Sequence, residues 1–139
     1  MTNTLKDKVA DLFSHHKVGT LATIRDNKPY SRFMMFNSED LTLYTATNEQ
    51  AHKAEDIAQN PNVHILLGYD RDSDHEHYVE IEANASVEES ADLKEKFWSE
   101  QLKHWIASPE DPEYLLLKLT PVTILYYEKT GKEPQELTL

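Results

Sequence analysis

Apolar and polar positions follow two different rhythms along this chain. Between residues 4 and 16, Leu5, Val9, Leu12 and Phe13 recur at three- and four-residue steps, the spacing of one helical face. A short amphipathic helix packed on the rest is expected there. VGTLATIR (18–25) is rich in β-branched residues, Asp26-Asn27-Lys28 carries turn chemistry, and PYSRFMMF follows. Residues 18–36 therefore read as a β-hairpin. SED makes a further turn before the strand LTLYTAT (41–47). The segment from Gln50 to Gln59 is helical in character and stops at Asn60-Pro61, because a residue before proline is pushed out of the α region. NVHILLGY (62–69) reads as a buried strand, DRDSDHEH (70–77) as a polar loop, and YVEIEANASV (78–87) alternates as a half-exposed strand does. Residues 90–106 read as a helix with Leu93, Phe97 and Leu102 inward. SPEDPEY is a loop, and LLLKLTPVTILYYE (115–128) is a long strand bent at Pro121.

The predicted order is helix, three strands, helix, two strands, helix, strand. This gives a mainly β fold with flanking helices (α+β), a six-stranded antiparallel barrel whose open ends the helices cover. The strands lie too close together for successive βαβ crossovers. The sequence holds no repeat, low-complexity tract or Pro/Gly-rich linker, so residues 1–139 read as a single domain, long enough to bury a core without staples.

Charge and composition narrow the chemistry. Against 14 basic residues stand 25 acidic ones, a net charge of −11. Such a chain repels nucleic acid and anionic membrane, so an anion it binds must be held by a few local donors. Cysteine is absent, which removes disulfides, thiolate nucleophiles and cysteine-ligated metals. The opening MTNTLKDKVADLF has no apolar run of signal-peptide length, and no stretch reaches the ~18 apolar residues of a membrane span. A cytoplasmic location is expected. The three glycines, Gly19, Gly68 and Gly131, are too scattered for a GxGxxG turn or a P-loop. Asp70, Asp72 and Asp74 begin like a calcium loop, but its sixth and twelfth positions are His75 and Ile81, and no metal is expected. No GxSxG elbow is present.

Arg32 is the informative residue. It stands inside an apolar strand, where an unpaired charge is costly. Lys53 follows the polar strand end Thr45-Ala46-Thr47-Asn48 at the start of a short helix, where backbone N–H groups are unpaired and the dipole is positive. Arg32, Lys53, His52 and the Thr47 hydroxyl together suit a phosphate cradle. The plainer alternative pairs Arg32 with an acid and leaves Lys53 in solvent.

Three segments, in this order and spacing, resemble a known family. They are VGTLATIRDNKPYSRFMMF, LYTATNEQAHKAEDIAQNPNVHILL and LKHWIASPEDPEYLLLKLTPVTILYYE. Together they cover most of the chain. The resemblance is to the FMN-binding split-barrel proteins related to pyridoxamine 5′-phosphate oxidase, in their general stress protein branch. It implies a split barrel in a homodimer, with FMN at the two-fold interface. It places Arg32 and Lys53 on the FMN phosphate, with Thr47 and His52 beside them. The backbone of Phe33, Met34 and Met35 would line the flavin ring, Thr45 and Ala46 would lie at its edge, and Trp105 or its neighbours would reach over from the second protomer. The implied activity is a flavin-dependent oxidoreductase linked to stress response. The alternative is a non-catalytic flavin or haem protein for storage, transport or sensing, with His16, His52 and His64 the first choices as haem ligands. No side chain is assigned as general acid or base. The chain departs from the family at Ala51, where serine is usual, and at Tyr127, where a late tryptophan is usual. After Glu128 it carries neither arginine nor histidine, so the Arg-x-His substrate motif of the true oxidases is missing and vitamin B6 oxidation is not expected.

Overall fold

The structure, a computed structural model, describes residues 4–48, 53–70 and 75–139. Helix α1 (Leu5–His15) begins at Thr4, whose hydroxyl accepts from the Asp7 N–H while the Asp7 carboxylate accepts from the Thr4 N–H. This reciprocal box satisfies two otherwise unpaired donors. Val9, Leu12 and Phe13 are buried, as their spacing requires.

Strands β1 (Val18–Arg25) and β2 (Lys28–Met35) form the expected hairpin, with Val18 opposite Met35 and Arg25 opposite Lys28. Asp26 and Asn27 both have positive φ, 51° and 63°. That pairing marks the tight two-residue turn whose twist matches its strands. There follow β3 (Asn37–Glu39), β4 (Thr42–Asn48), α2 (Lys53–Gln59), β5 (Asn62–Asp70), β6 (His75–Glu88), α3 (Ala91–Lys96), β7 (Tyr114–Tyr127) and β8 (Gln135–Leu137). They form one antiparallel sheet in the order β2-β1-β5-β6-β7-β4-β3, with β8 paired to β7.

Among the described residues the sheet has eight strands, and the expectation of six is corrected. The two additional strands span only three residues each. β3 occupies the segment read as a turn, and the chain turns instead at Asp40, with φ of 55°. β8 lies beyond the last predicted element. Three residues carry too little periodicity to register as a strand.

The helix expected over 90–106 is also corrected. α3 ends at Lys96, and a 3-10 turn spans Glu100–His104. Phe97 and Leu102 are five residues apart, a step that does not keep one helical face. Breaking the helix between them lets both enter a second core cluster with Tyr44, Ile106, Tyr114 and Leu116. The main cluster fills the barrel with Leu21, Ile65, Leu67, Ile81, Leu117 and Ile124 among others, closed by Phe13 of α1 and Ile57 of α2. β7 bends as expected: Pro121 faces Ala83 and Thr123 faces Glu82, leaving Val122 as the extra residue of a bulge. Among the described residues no helix is long and apolar enough to cross a membrane.

Candidate functional site

β2 and β3 stand at opposite ends of the strand order yet follow each other directly in the chain. The sheet therefore curls until β2 approaches β4, and the Thr45 hydroxyl donates to the Met35 carbonyl across the gap at 2.8 Å. This gap is the split in the barrel. Beside it lies a cleft of about 210 Å³ floored by Phe33, Met34, Met35 and Ala46 and roofed by Phe97, Leu102 and Trp105. Trp105 is 47 % exposed. Its carbonyl accepts from the Asn48 side chain at 3.0 Å, which fixes the rim to β4.

Strand alternation sends Arg32 and Met34 to one face of β2 and Phe33 and Met35 to the other. Arg32 shares its face with Leu21, and Arg25 with Lys28, in the hairpin register. Arg32 Nη1 donates to the Thr23 hydroxyl at 2.9 Å. Thr23 is fully buried, and its hydroxyl in turn donates to Asp56 Oδ2 at 3.5 Å. Arg25 grips the same carboxylate with two bonds, Nε to Oδ1 at 3.0 Å and Nη2 to Oδ2 at 3.2 Å. Asp56, in the first turn of α2, is 5 % exposed. Burial lowers the Arg32 pKa from its ordinary value, Asp56 opposes that shift and Arg25 adds to it. The hydrogen bond to Asp56 raises that of Arg25. Two cations thus share one anion. The acid pairs with Arg25, and Arg32 has a neutral hydroxyl as its hydrogen-bond partner among the described residues.

Phe33, Met34, Met35, Ala46 and Trp105 line the cleft at the split, whereas Arg32 is not among its lining residues and is held by Thr23 on the face of β2 away from Phe33 and Met35. Thr45 and Thr47 are buried, and Thr45 bridges the gap to Met35. Lys53 opens α2, but its side chain and the whole of His52 lie outside the described residues. Of the histidines suited to haem, His16 packs its ring 6.0 Å from that of His77, and His64 lies on the outer sheet face. His77 is bound to the Tyr126 hydroxyl at 3.0 Å. No group of three or more potential metal ligands occurs among the described residues. Sequence reasoning missed Thr23, Arg25 and Asp56. The signal was present in part, because a two-residue turn at Asp26-Asn27 puts Arg25 and Arg32 on one face.

A second, wider depression of about 670 Å³ lies on the outer face of β1, β2, β5 and β6. Phe33, Leu66 and Tyr78 line it. Phe33 borders both clefts and is 79 % exposed.

Residues 5–128 match the family model described as pyridoxamine 5′-phosphate oxidase. The chain belongs to this family. Within the pyridoxamine 5′-phosphate oxidase family it is 45 % identical, over 135 residues, to General stress protein 26 of Bacillus subtilis, covering 97 % of this chain and 96 % of that one. It superposes with a TM-score of 0.87 on the crystal structure of General Stress Protein 26 from Bacillus anthracis, at 47 % identity over 97 % of this chain and 98 % of the other. The fold alone is shared with a heme binding protein from Mycobacterium smegmatis, at 16 % identity and a TM-score of 0.77, over 99 % of this chain and 60 % of that one.

Proposed function

We propose that this chain binds FMN in the split of its barrel and serves as a flavin-dependent oxidoreductase of the general stress protein type. One observation carries the reading: Arg32 is a half-buried guanidinium whose hydrogen-bond partner is a hydroxyl, while the adjacent carboxylate is taken by Arg25. In a chain of net charge −11, this local surplus of one positive charge suits a phosphate monoester, which accepts several charge-assisted bonds. The resemblance assigns Lys53, the first residue of α2, to the same phosphate. The ring would lie along Phe33, Met34 and Met35 beside Ala46, with Trp105 excluding water from the rim. The resemblance sends Trp105 to a second protomer's flavin, whereas here it borders its own chain's cleft. In a homodimer formed through the outer face of β1, β2, β5 and β6, Phe33 reaches both the partner and the ring.

When bound, the flavin supplies the redox chemistry. The residues of the chain hold the phosphate, orient the ring and keep its face dry. No side chain at the split is assigned as acid or base. Vitamin B6 oxidation is not part of this reading, because the segment after Glu128 lacks arginine and histidine.

The test is titration of the purified protein with FMN, FAD and riboflavin, followed by absorbance and flavin fluorescence. Saturable binding of FMN, with riboflavin much weaker, is expected. Arg32→Ala and Lys53→Ala should each weaken FMN by roughly tenfold or more and leave riboflavin unchanged. Equal affinity for FMN and riboflavin would remove the phosphate from the site. A Soret band lost on replacing one histidine would favour haem instead.

A further inference from the structure

Arg25 stands at the turn end of the β1–β2 hairpin, does not line the cleft at the split, and is engaged on Asp56. Nε and Nη2 close on the two oxygens of Asp56, and the guanidinium carbon stacks 4.9 Å over the Tyr30 ring. We propose that Arg25 is a positioning residue for the anion site: by clamping Asp56 it keeps that carboxylate off Arg32 and leaves the Arg32 guanidinium open to a phosphate monoester. This rests on the reading of Arg32 as a phosphate ligand.

The geometry requires such a clamp. A single hydroxyl, that of Thr23, separates the Asp56 carboxylate from Arg32, at 3.5 Å on one side and 2.9 Å on the other. Asp56 is buried. A buried carboxylate without a partner is costly and takes the nearest cation. Among the described residues, Asp56 and Arg25 are the charged groups that act on Arg32. Without the Arg25 fork, the cation beside Asp56 among the described side chains is Arg32. A carboxylate paired to Arg32 competes with phosphate for the same donors. The bidentate fork also specifies arginine over lysine at position 25, because only a planar guanidinium holds both oxygens at once.

The experiment is a flavin-fluorescence titration of the full chain with FMN and with riboflavin, in four forms: unaltered, Arg25→Ala, Asp56→Asn and the double variant. Arg25→Ala should weaken FMN roughly tenfold with riboflavin unchanged, and adding Asp56→Asn should restore FMN affinity to within about threefold. Restoration is the decisive readout, since a merely structural role for Arg25 predicts a double variant at least as impaired as the single. A double variant as weak as Arg25→Ala would overturn the proposal. Unchanged FMN affinity in Arg25→Ala would overturn it too. If Arg25→Ala does not fold, Asp56→Asn alone decides. FMN affinity equal to or above that of the unaltered chain supports the clamp, and a tenfold loss rejects it. An unaltered chain that does not prefer FMN to riboflavin refutes the phosphate reading itself, before any variant is compared, and the clamp with it.

Discussion

Tyr114 shows how far one side chain can be altered by its surroundings. Burial pushes its phenol up from 10.0 to about 12, and its hydroxyl donates to the Lys94 carbonyl at 2.8 Å. The folded state therefore keeps a proton that the unfolded chain gives up near pH 10. The resulting stability is fully present below pH 10 and is lost as pH rises toward 12. Burial also raises Tyr126, in the same direction. Urea midpoints should fall between pH 10 and 12, and more shallowly in Tyr114→Phe. That variant should lose about 1 kcal/mol at neutral pH with the hydrogen bond. Gly19 is a second residue set by close approach, because a Cβ there would fall on the Leu66 carbonyl oxygen of the neighbouring strand. Gly19→Ala should cost roughly 1–3 kcal/mol, measured by denaturant unfolding, as overpacking does. Arg32 stood out in the sequence from its charge within an apolar strand. The fork of Arg25 on Asp56 did not, because it joins residues 31 positions apart.

Among the elements, the β1–β2 hairpin is dictated most locally. Asp26 and Asn27 tolerate left-handed backbone, and both adopt it. Asn27→Gly should leave the unfolding midpoint unchanged or higher, whereas Asn27→Val should lower stability by about 1–2 kcal/mol, since a β-branched residue is strained at positive φ. The α1 face was read directly from its spacing and is capped as its Thr4 and Asp7 permit. The segment 90–106 was harder. Ser90 does cap α3, its hydroxyl accepting from Leu93 N–H, but the five-residue step from Phe97 to Leu102 breaks the helix. Tertiary burial in the second core cluster outweighs local helical preference there.

On the scale of the whole molecule, one face stands out. Phe33, Leu66 and Tyr69 remain exposed on β2 and β5, and Leu66 is 43 % exposed in the middle of the sheet. If this face joins two protomers, sedimentation equilibrium should give a dimer. Leu66→Lys should shift the protein toward monomer while its far-UV spectrum is unchanged, because that side chain supports no core contact. A dimer unaffected by Leu66→Lys would place the contact elsewhere.

The sequence alone determined the features that depend on near neighbours. These are the hairpin turn, the buried face of α1, the alternation of the longer strands and the place where β7 bends. It also singled out Arg32, because an ionised group among apolar neighbours is conspicuous without any fold. Tertiary structure decided the rest. Curling of the sheet brings β2 to β4, so Met35 meets Thr45 and Asn48 holds the Trp105 segment from 57 positions away. Packing of α2 on β1 sets Asp56 on Arg25, and among the described residues Arg32 is left with the Thr23 hydroxyl. Local periodicity reports which face a side chain occupies; which partner it meets there follows from strand order and closure, which no short stretch of chain encodes.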